Sequence, residues 1–352
     1  MTEIRPLDEG DLPRVADLLA AALPDSWPPQ AWRRLLRSTL LESPSADPDL
    51  PSLVWCDDGG VLRGFIALNV RRATFDGRPV RLACSSHLAI DAESRGTPAG
   101  AFLLRAALQG AQDATFTDTA GPPVRALWES LGGRCEPLRS LQWMQVLRPA
   151  RWFMRSGIAG AQRQRVRLLV PVSAVPLRPL LPSAIAPRTW RTTEPAPDGL
   201  LDVEAFVEHV DRTAPPARLR PRYDHDYVAW LFQELEAAAD PSATVLRRLV
   251  RRRGRVVGWY VCRIDGRGGG RVLQVLCRPP DAEEVLADLF AAAAAQGAVV
   301  LAGRVEPHLS EALYRHDCVI GMANRHLVHA REPELLEAFG SSSLTLLDGE
   351  WW

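Results

Sequence analysis

Apolar residues recur along this chain at two spacings. Leu12, Val15, Leu18, Leu19 and Ala22 follow the 3.6-residue spacing of a helix, with Asp11 in the N-cap position and a short strand, Glu3–Leu7, before it. Pro24, Pro28 and Pro29 break that helix, and a second is expected over Ala31–Leu41. The spacing then shortens to two. Leu53–Cys56 and Val61–Val70 read as strands, and Phe75-Asp-Gly-Arg78 turns the chain into a strand at Val80–Ile90. Thr97 as N-cap and Pro98 as first helical residue open a helix that runs to about Gln112. Ala114–Thr117 is a strand, Val124–Leu131 a helix closed by Gly132-Gly133, and Leu138–Leu147 a strand.

The pattern then repeats. Arg188–Arg191 is a candidate strand, and Leu200–Val210 and His225–Ala238 are helical. Ala243–Arg251 and Val256–Arg263 form a hairpin, followed by a strand at Arg271–Cys277 and an alanine-rich helix at Asp281–Ala295. Ala298–Val305 is a strand, His308–Arg315 a helix and Val319–His329 a strand. Each half reads as a strand, two helices, three strands, helix, strand, helix, strand. Such repetition with little residue identity points to tandem duplication, with domains at 1–150 and 188–352. The stretch between them, 151–187, holds six arginines, five prolines and no acid. That composition suits an extended, basic connector.

Composition narrows the chemistry. The 352 residues carry 42 acids and 42 Lys+Arg, and every one of those cations is arginine. Schiff-base lysines, phosphate-loop lysines and lysine bases are therefore excluded. Residues 1–150 hold 16 Arg and 18 acids, net −2; the connector is +6; residues 188–352 hold 20 Arg and 24 acids, net −4. The balanced total gives no reason to expect nucleic acid. The six cysteines are scattered with no C-x-x-C pair, so no structural zinc or other metal is expected. No signal-peptide pattern opens the chain and no apolar run reaches the roughly 20 residues of a membrane helix. A soluble, cytoplasmic protein is expected. Arginine without lysine, with abundant alanine and proline, fits a high-GC bacterial coding bias.

The element order, together with Leu88-Ala-Ile-Asp-Ala-Glu-Ser-Arg-Gly-Thr-Pro-Ala-Gly-Ala-Phe-Leu-Leu-Arg105, resembles the GNAT superfamily of N-acetyltransferases. In that family a central strand ends in an apolar triplet, and a loop of pattern R/Q-x-x-G-x-G/A opens a helix whose amides hold the pyrophosphate of acyl-coenzyme A. A helix N-terminus offers free N–H groups and a positive dipole end to a phosphate. The resemblance implies an α/β (α+β) fold of two GNAT-like domains, each a mixed, mostly antiparallel twisted sheet flanked by helices. It maps the triplet to Leu88, Ala89 and Ile90, and the loop to Arg95, Gly96, Thr97, Pro98, Ala99 and Gly100. Pro98 replaces the middle glycine and has no N–H to donate, so the cradle rests on the amides of Gly96, Thr97, Ala99, Gly100 and Ala101. The fourth and fifth strands are expected to splay around the pantetheine arm.

Acyl transfer needs a base, an oxyanion site and a fate for the leaving thiolate. Many family members protonate the thiolate with a tyrosine in a segment like L-Y-x-x-x-G-F. Here Leu127-Trp128-Glu-Ser-Leu-Gly-Gly133 carries tryptophan in its place. The second half keeps the tyrosine, Tyr314, in Leu313-Tyr314-Arg-His-Asp-Cys318, where it reads either as packing or as an acid. That half has Arg278-Pro-Pro-Asp281 where the loop belongs, so it reads as a degenerate copy. The candidate base is His87, which strand alternation would set on one face with Ser85 and Ala89; a partly buried structural histidine is the other reading. Ser85 and Ser86 could bind substrate or line an oxyanion site, Cys84 reads as an inert buried thiol, and Asp118 could meet a cationic substrate or cap a turn. His326-Leu-Val-His329 has a metal-like spacing but falls on a strand, where the two face opposite ways. Trp351-Trp352 should dock on the fold or on a second subunit of a homodimer.

The leading expectation is therefore an acyltransferase that moves an acetyl or other acyl group from acyl-CoA to an amine of a small molecule or peptide. The rival is a catalytically inactive ligand- or partner-binding protein of the same fold, favoured by Pro98 and Trp128. Aminoacyl transfer from charged tRNA is a third reading.

Overall fold

In the computed structural model, residues 3–23, 27–149, 151–152, 199–237, 242–322 and 325–341 are described. The candidate strand at Arg188–Arg191, most of the connector and the terminal Trp351-Trp352 lie outside them.

The first half runs β1 (Glu3–Pro6), α1 (Leu12–Ala22), α2 (Pro29–Leu36), β2 (Leu53–Cys56), β3 (Leu62–Phe75), β4 (Arg78–Ile90), α3 (Ala99–Leu108), β5 (Ala114–Ala120), α4 (Pro122–Ser130), β6 (Arg134–Cys135) and β7 (Leu141–Val146). The second runs α5 (Val203–Thr213), β8 (Leu219–Pro221), α6 (His225–Ala237), β9 (Thr244–Arg252), β10 (Arg255–Ile264), β11 (Gly269–Cys277), α7 (Ala282–Ala295), β12 (Val300–Arg304), α8 (Ser310–Arg315), β13 (Val319–Met322), β14 (Arg325–Ala330) and α9 (Pro333–Ser341). Local chemistry accounts for many boundaries. Asp76 and Gly77 both take positive φ, as do Arg253 and Gly254, which is the backbone of a two-residue hairpin turn. Gly132, at φ 90°, ends α4.

These strands form two mixed sheets. One has the order β1-β2-β3-β4-β5-β14-β6, with β8 added against β3; the other has the order β13-β7-β12-β11-β10-β9. Helices cover both faces of the first. One face carries the core of α1 and α2, built on Val15, Leu19, Trp32, Leu36, Phe65 and Ala89. The other carries α3 and α4, through Ile66, Leu68, Ala83, Leu103, Leu104 and Trp128.

The sheets do not divide the chain at one point. β7 follows β6 in sequence, yet pairs with β12 and β13 of the other half. The stretch expected as one strand over Val319–His329 is two: β13 stays with the second sheet, while β14 pairs with β5 and β6 of the first. Each half thus lends its last strand to the other's sheet. A charged contact sits where they meet. Asp118, fifth residue of β5, accepts from Arg304, fifth residue of β12, at 2.5 Å. The Asp118 side chain is buried and that of Arg304 is only 12% exposed. Arg304 also reaches His326 Nδ1 on β14 at 3.4 Å.

Candidate active site

A cleft opens in the first sheet between β4 and β5. β4 and β5 pair in parallel at Leu82↔Ala114, Ala83↔Thr115 and Cys84↔Phe116 and no further, although β4 continues to Ile90 and β5 to Ala120. Beyond that point β5 is held by β14 on its other side. The amide of Asp91 donates to Arg63 O at 2.7 Å, which sets the alternation on this side of β4. Ala89, paired with Phe65, turns its polar groups to β3, so Leu88 and Ile90 turn theirs into the cleft. Among the described residues no side chain hydrogen-bonds to either backbone. The free edge falls on the triplet expected to meet a pantetheine arm.

A bulge interrupts β4 at the same level. Phe65 pairs with Ala89 and Ala67 with Ser86, so Ile66 alone faces both His87 and Leu88. His87 takes φ 52°, a conformation costing a non-glycine residue roughly 1–2 kcal/mol. The extra residue resets the alternation. Ser86 and His87 fall on the α1–α2 face with Ala89, whereas Ser85, paired with Leu68, lies on the α3 face. The expected grouping of His87 with Ser85 is therefore corrected. His87 Nδ1 lies 2.9 Å from Ser86 Oγ, and Asn69 Nδ2 donates to Ser86 Oγ at 3.4 Å. The Trp32 ring of α2 meets the imidazole edge-on, with centroids 5.1 Å apart. Asn69 and Trp32 were absent from the sequence-based set. Asn69 was discoverable, as the lone polar residue in Phe65-Ile-Ala-Leu-Asn69-Val70. Trp32, read only as part of a helix, was not.

The loop before α3 departs from expectation in detail. The helix begins at Ala99, with Pro98 rather than Thr97 as its N-cap, because Pro98 O accepts the first helical bond, from Phe102. Thr97 Oγ1 accepts from Ala99 N at 3.4 Å, and the Thr97 amide is already spent on Ser94 O. Of the five expected donors, Gly96, Gly100 and Ala101 keep amides with no acceptor inside the helix or loop. Gly96 needs its glycine, at φ 85°. Gly100 does not: a Cβ there would meet Ile90 Cγ1 at 3.6 Å, an ordinary contact. Neither packing nor backbone conformation therefore requires glycine at position 100. The three amides and the free β4 edge fit an acyl-CoA.

The remaining candidates scatter. Trp128 is fully buried against α3, so it serves the core. Tyr314 is 81% exposed on α8, which corrects the packing reading and places it on a helix that packs on α7 in the other half. Cys84 is buried. The carboxylate of Asp118 is met by Arg304 and not by solvent. His326 is buried on β14, where burial and the guanidinium groups of Arg304 and Arg139 hold it neutral, well below its usual range. Among the described residues no group of three or more His, Cys, Asp or Glu could hold a metal ion, and no helix is long and apolar enough to cross a membrane.

The second sheet contains the same splay. β11 and β12 pair only at Gly269↔Val300, Gly270↔Leu301 and Arg271↔Ala302. Here the cleft is occupied from within. His308, buried in the turn before α8, donates Nε2–H to Val275 O at 3.3 Å. Val275 stands six residues beyond the first ladder residue, as Leu88 does in β4. Burial lowers the His308 pKa to about 4 against the Val275 bond that raises it, so the ring is neutral. Asp281, itself buried, sits at the start of α7 beside Pro279 and Pro280, a position that repels a phosphate.

No family model matches the sequence, and no curated protein matches it. Solved structures do match in fold. A GCN5-related N-acetyltransferase from Anabaena variabilis superposes with a TM-score of 0.58 at 11% identity, covering 94% of this chain and 73% of that one. A second, from Kribbella flavida, gives 0.55 at 13%, covering 94% and 72%. An N-myristoyltransferase from Saccharomyces cerevisiae with bound myristoyl-CoA gives 0.57 at 11%, covering 98% and 89%. The chain has the GNAT fold.

Proposed function

We propose that this protein is an acyltransferase that moves an acetyl or longer acyl group from acyl-coenzyme A to an amine, with one working site in the first cleft. The observation that carries this reading is the early end of the β4–β5 ladder at Cys84↔Phe116, which frees the backbone of Leu88 and Ile90 beside the start of α3. The pantetheine arm would pair with that edge, and the pyrophosphate would sit on the amides of Gly96, Gly100 and Ala101. Pro98 withholds one donor, worth about 1.5–3 kcal/mol for a charge-assisted bond, which weakens binding without abolishing it. The acceptor would approach from the α1–α2 face, where Ser86, His87 and Trp32 gather. Residues 1–150 would bind acyl-CoA, 151–187 would connect, and 188–352 would be a degenerate copy. The occupancy of the second cleft by His308 supports that last assignment.

Isothermal titration with acetyl-CoA and longer acyl-CoAs tests binding, with a stoichiometry near one per chain expected. No binding at millimolar ligand would sink the proposal. Release of free thiol with a panel of small amines and peptides then separates enzyme from binder. Binding without thiol release would favour the inactive-module reading, whose structural support is the buried Trp128 where a proton donor is expected.

A further inference from the structure

Three side chains on the α1–α2 face of the first sheet form a directional chain. Asn69 on β3 lies 3.4 Å from Ser86 Oγ, and Ser86 Oγ lies 2.9 Å from His87 Nδ1. Among the described residues these are the two side-chain partners of the Ser86 hydroxyl. Of these two atoms only His87 Nδ1 can accept the hydroxyl proton, because an amide nitrogen donates and does not accept. The 3.4 Å contact is a long N–H···O bond given by the Asn69 amide, whereas 2.9 Å suits O–H···N. The proton therefore goes to His87, and the oxygen accepts from the Asn69 amide. His87 Nδ1 is then an acceptor, and the neutral ring carries its proton on Nε2.

This changes the role open to His87. We propose that Asn69 and Ser86 are positioning residues that hold His87 as the Nε2–H tautomer, so that His87 serves as a hydrogen-bond donor to the oxyanion and not as a general base. The proposal rests on the reading of the first cleft as an acyl-transfer site. In the step it describes, the amine nitrogen attacks the thioester carbon and the carbonyl electron pair moves to oxygen, where Nε2–H meets it. The C–S bond then breaks, and the proton lost by the amine ends on the departing thiolate through water. His87 keeps its proton throughout. The bulge accounts for the geometry: only the extra residue at φ 52° brings consecutive side chains, Ser86 and His87, to one face. A donor here also supplies polarity that the buried Trp128 does not.

The relay has a direction, so it can be reversed. Asn69→Asp replaces the donor with an acceptor; the Ser86 proton should turn to the new carboxylate, and Ser86 Oγ should then accept from Nδ1–H. Long-range nitrogen–proton correlation spectra of the full chain labelled with ¹⁵N-histidine report this directly, with His87→Asn identifying the signal. The wild type should show a bare Nδ1 and a protonated Nε2, Asn69→Asp the opposite, Ser86→Thr the wild-type pattern, and Ser86→Ala a mixture. A protonated Nδ1 in the wild type, or no change in a folded Asn69→Asp, overturns the proposal whether or not the protein transfers acyl groups. Under turnover, Asn69→Asp should lower kcat by about 10²–10³-fold with KM for acyl-CoA unchanged, the loss typical of one oxyanion donor. A wild type that binds acyl-CoA and never turns over would overturn the role given to His87 while leaving the tautomer result to stand by itself.

Discussion

The two clefts of this molecule share a backbone and differ in what fills them. In each, a parallel ladder of three residue pairs gives out and the strands part. In each, the outer strand is taken by the strand the other half has lent, β14 beside β5 and β7 beside β12. The splay is common to both halves. Occupancy does not follow from it. In the first cleft, among the described residues, nothing pairs with the edge of β4 beyond the ladder, and the Gly100 and Ala101 amides of the next helix have no acceptor in the helix or loop. In the second, His308 satisfies the Val275 carbonyl and Asp281 with two prolines closes the helix start. An open carbonyl edge is costly to bury unless something pairs with it. The second half supplies its own partner, and the first is where we propose that a ligand supplies it.

The sharpest way to break this comparison is to fill the first cleft as the second is filled. Gly100→Trp should lower acyl-CoA affinity by at least about 100-fold, because the side chain would overlie the first-turn amides. Gly100→Ala should bind within several-fold of wild type, since its Cβ meets only Ile90 at 3.6 Å. Titration calorimetry on both reads the difference, and equal affinities across the pair would mean that the loop cradles nothing.

The contact shared by the two clefts gives the next largest effect. Arg304→Met takes the guanidinium from the buried Asp118 carboxylate and should cost about 3–5 kcal/mol in urea unfolding. The double variant Asp118→Leu/Arg304→Met removes both charges and should recover most of that loss. A double variant as unstable as the single would show that the pair's charges are not what matters at this junction.

The smallest effect concerns the plug. His308 stays neutral in the folded chain down to about pH 4, while in the unfolded chain it protonates near 6.5. Between those values the unfolded state binds the additional proton, so this contribution is complete above pH 6.5 and is lost as pH falls toward 4. His308→Gln, measured by thermal unfolding from pH 7 to 4, should show a flatter decline than wild type. His326 and His329, also held below their usual range, titrate in both proteins and cancel in the difference. Parallel curves would mean that His308 does not occupy the cleft in solution.

Much of this was legible from residue order. The turns at Asp76-Gly77 and Arg253-Gly254, the strand–loop–helix at Val80–Gln112 and the prolines of the second loop all sit where periodicity and turn chemistry put them. Tyr314 was legible only as a motif match, and it is 81% exposed on α8. His87 itself was found and rightly set with Ala89 and against Leu88, but Ser85 was wrongly placed beside it, because one inserted residue inverts every side chain beyond it. His308 carried no sequence signal. A lone histidine before a short helix becomes a cleft plug only when a strand edge lies against it.

By itself, the sequence determined the order and type of most elements, though not β6, β8, α9 or the division of Val319–His329, and the absence of lysine chemistry. These are local properties, settled by φ preference, side-chain period and the presence or absence of an N–H. Only the tertiary structure decided which half each last strand joins, where the ladders end, and which side chains face each other across β3 and β4. Those outcomes depend on pairing between residues far apart in the chain, as with Asp118 and Arg304. A strand's pattern states that it will be buried but not beside whom, because backbone hydrogen bonds are the same for every partner.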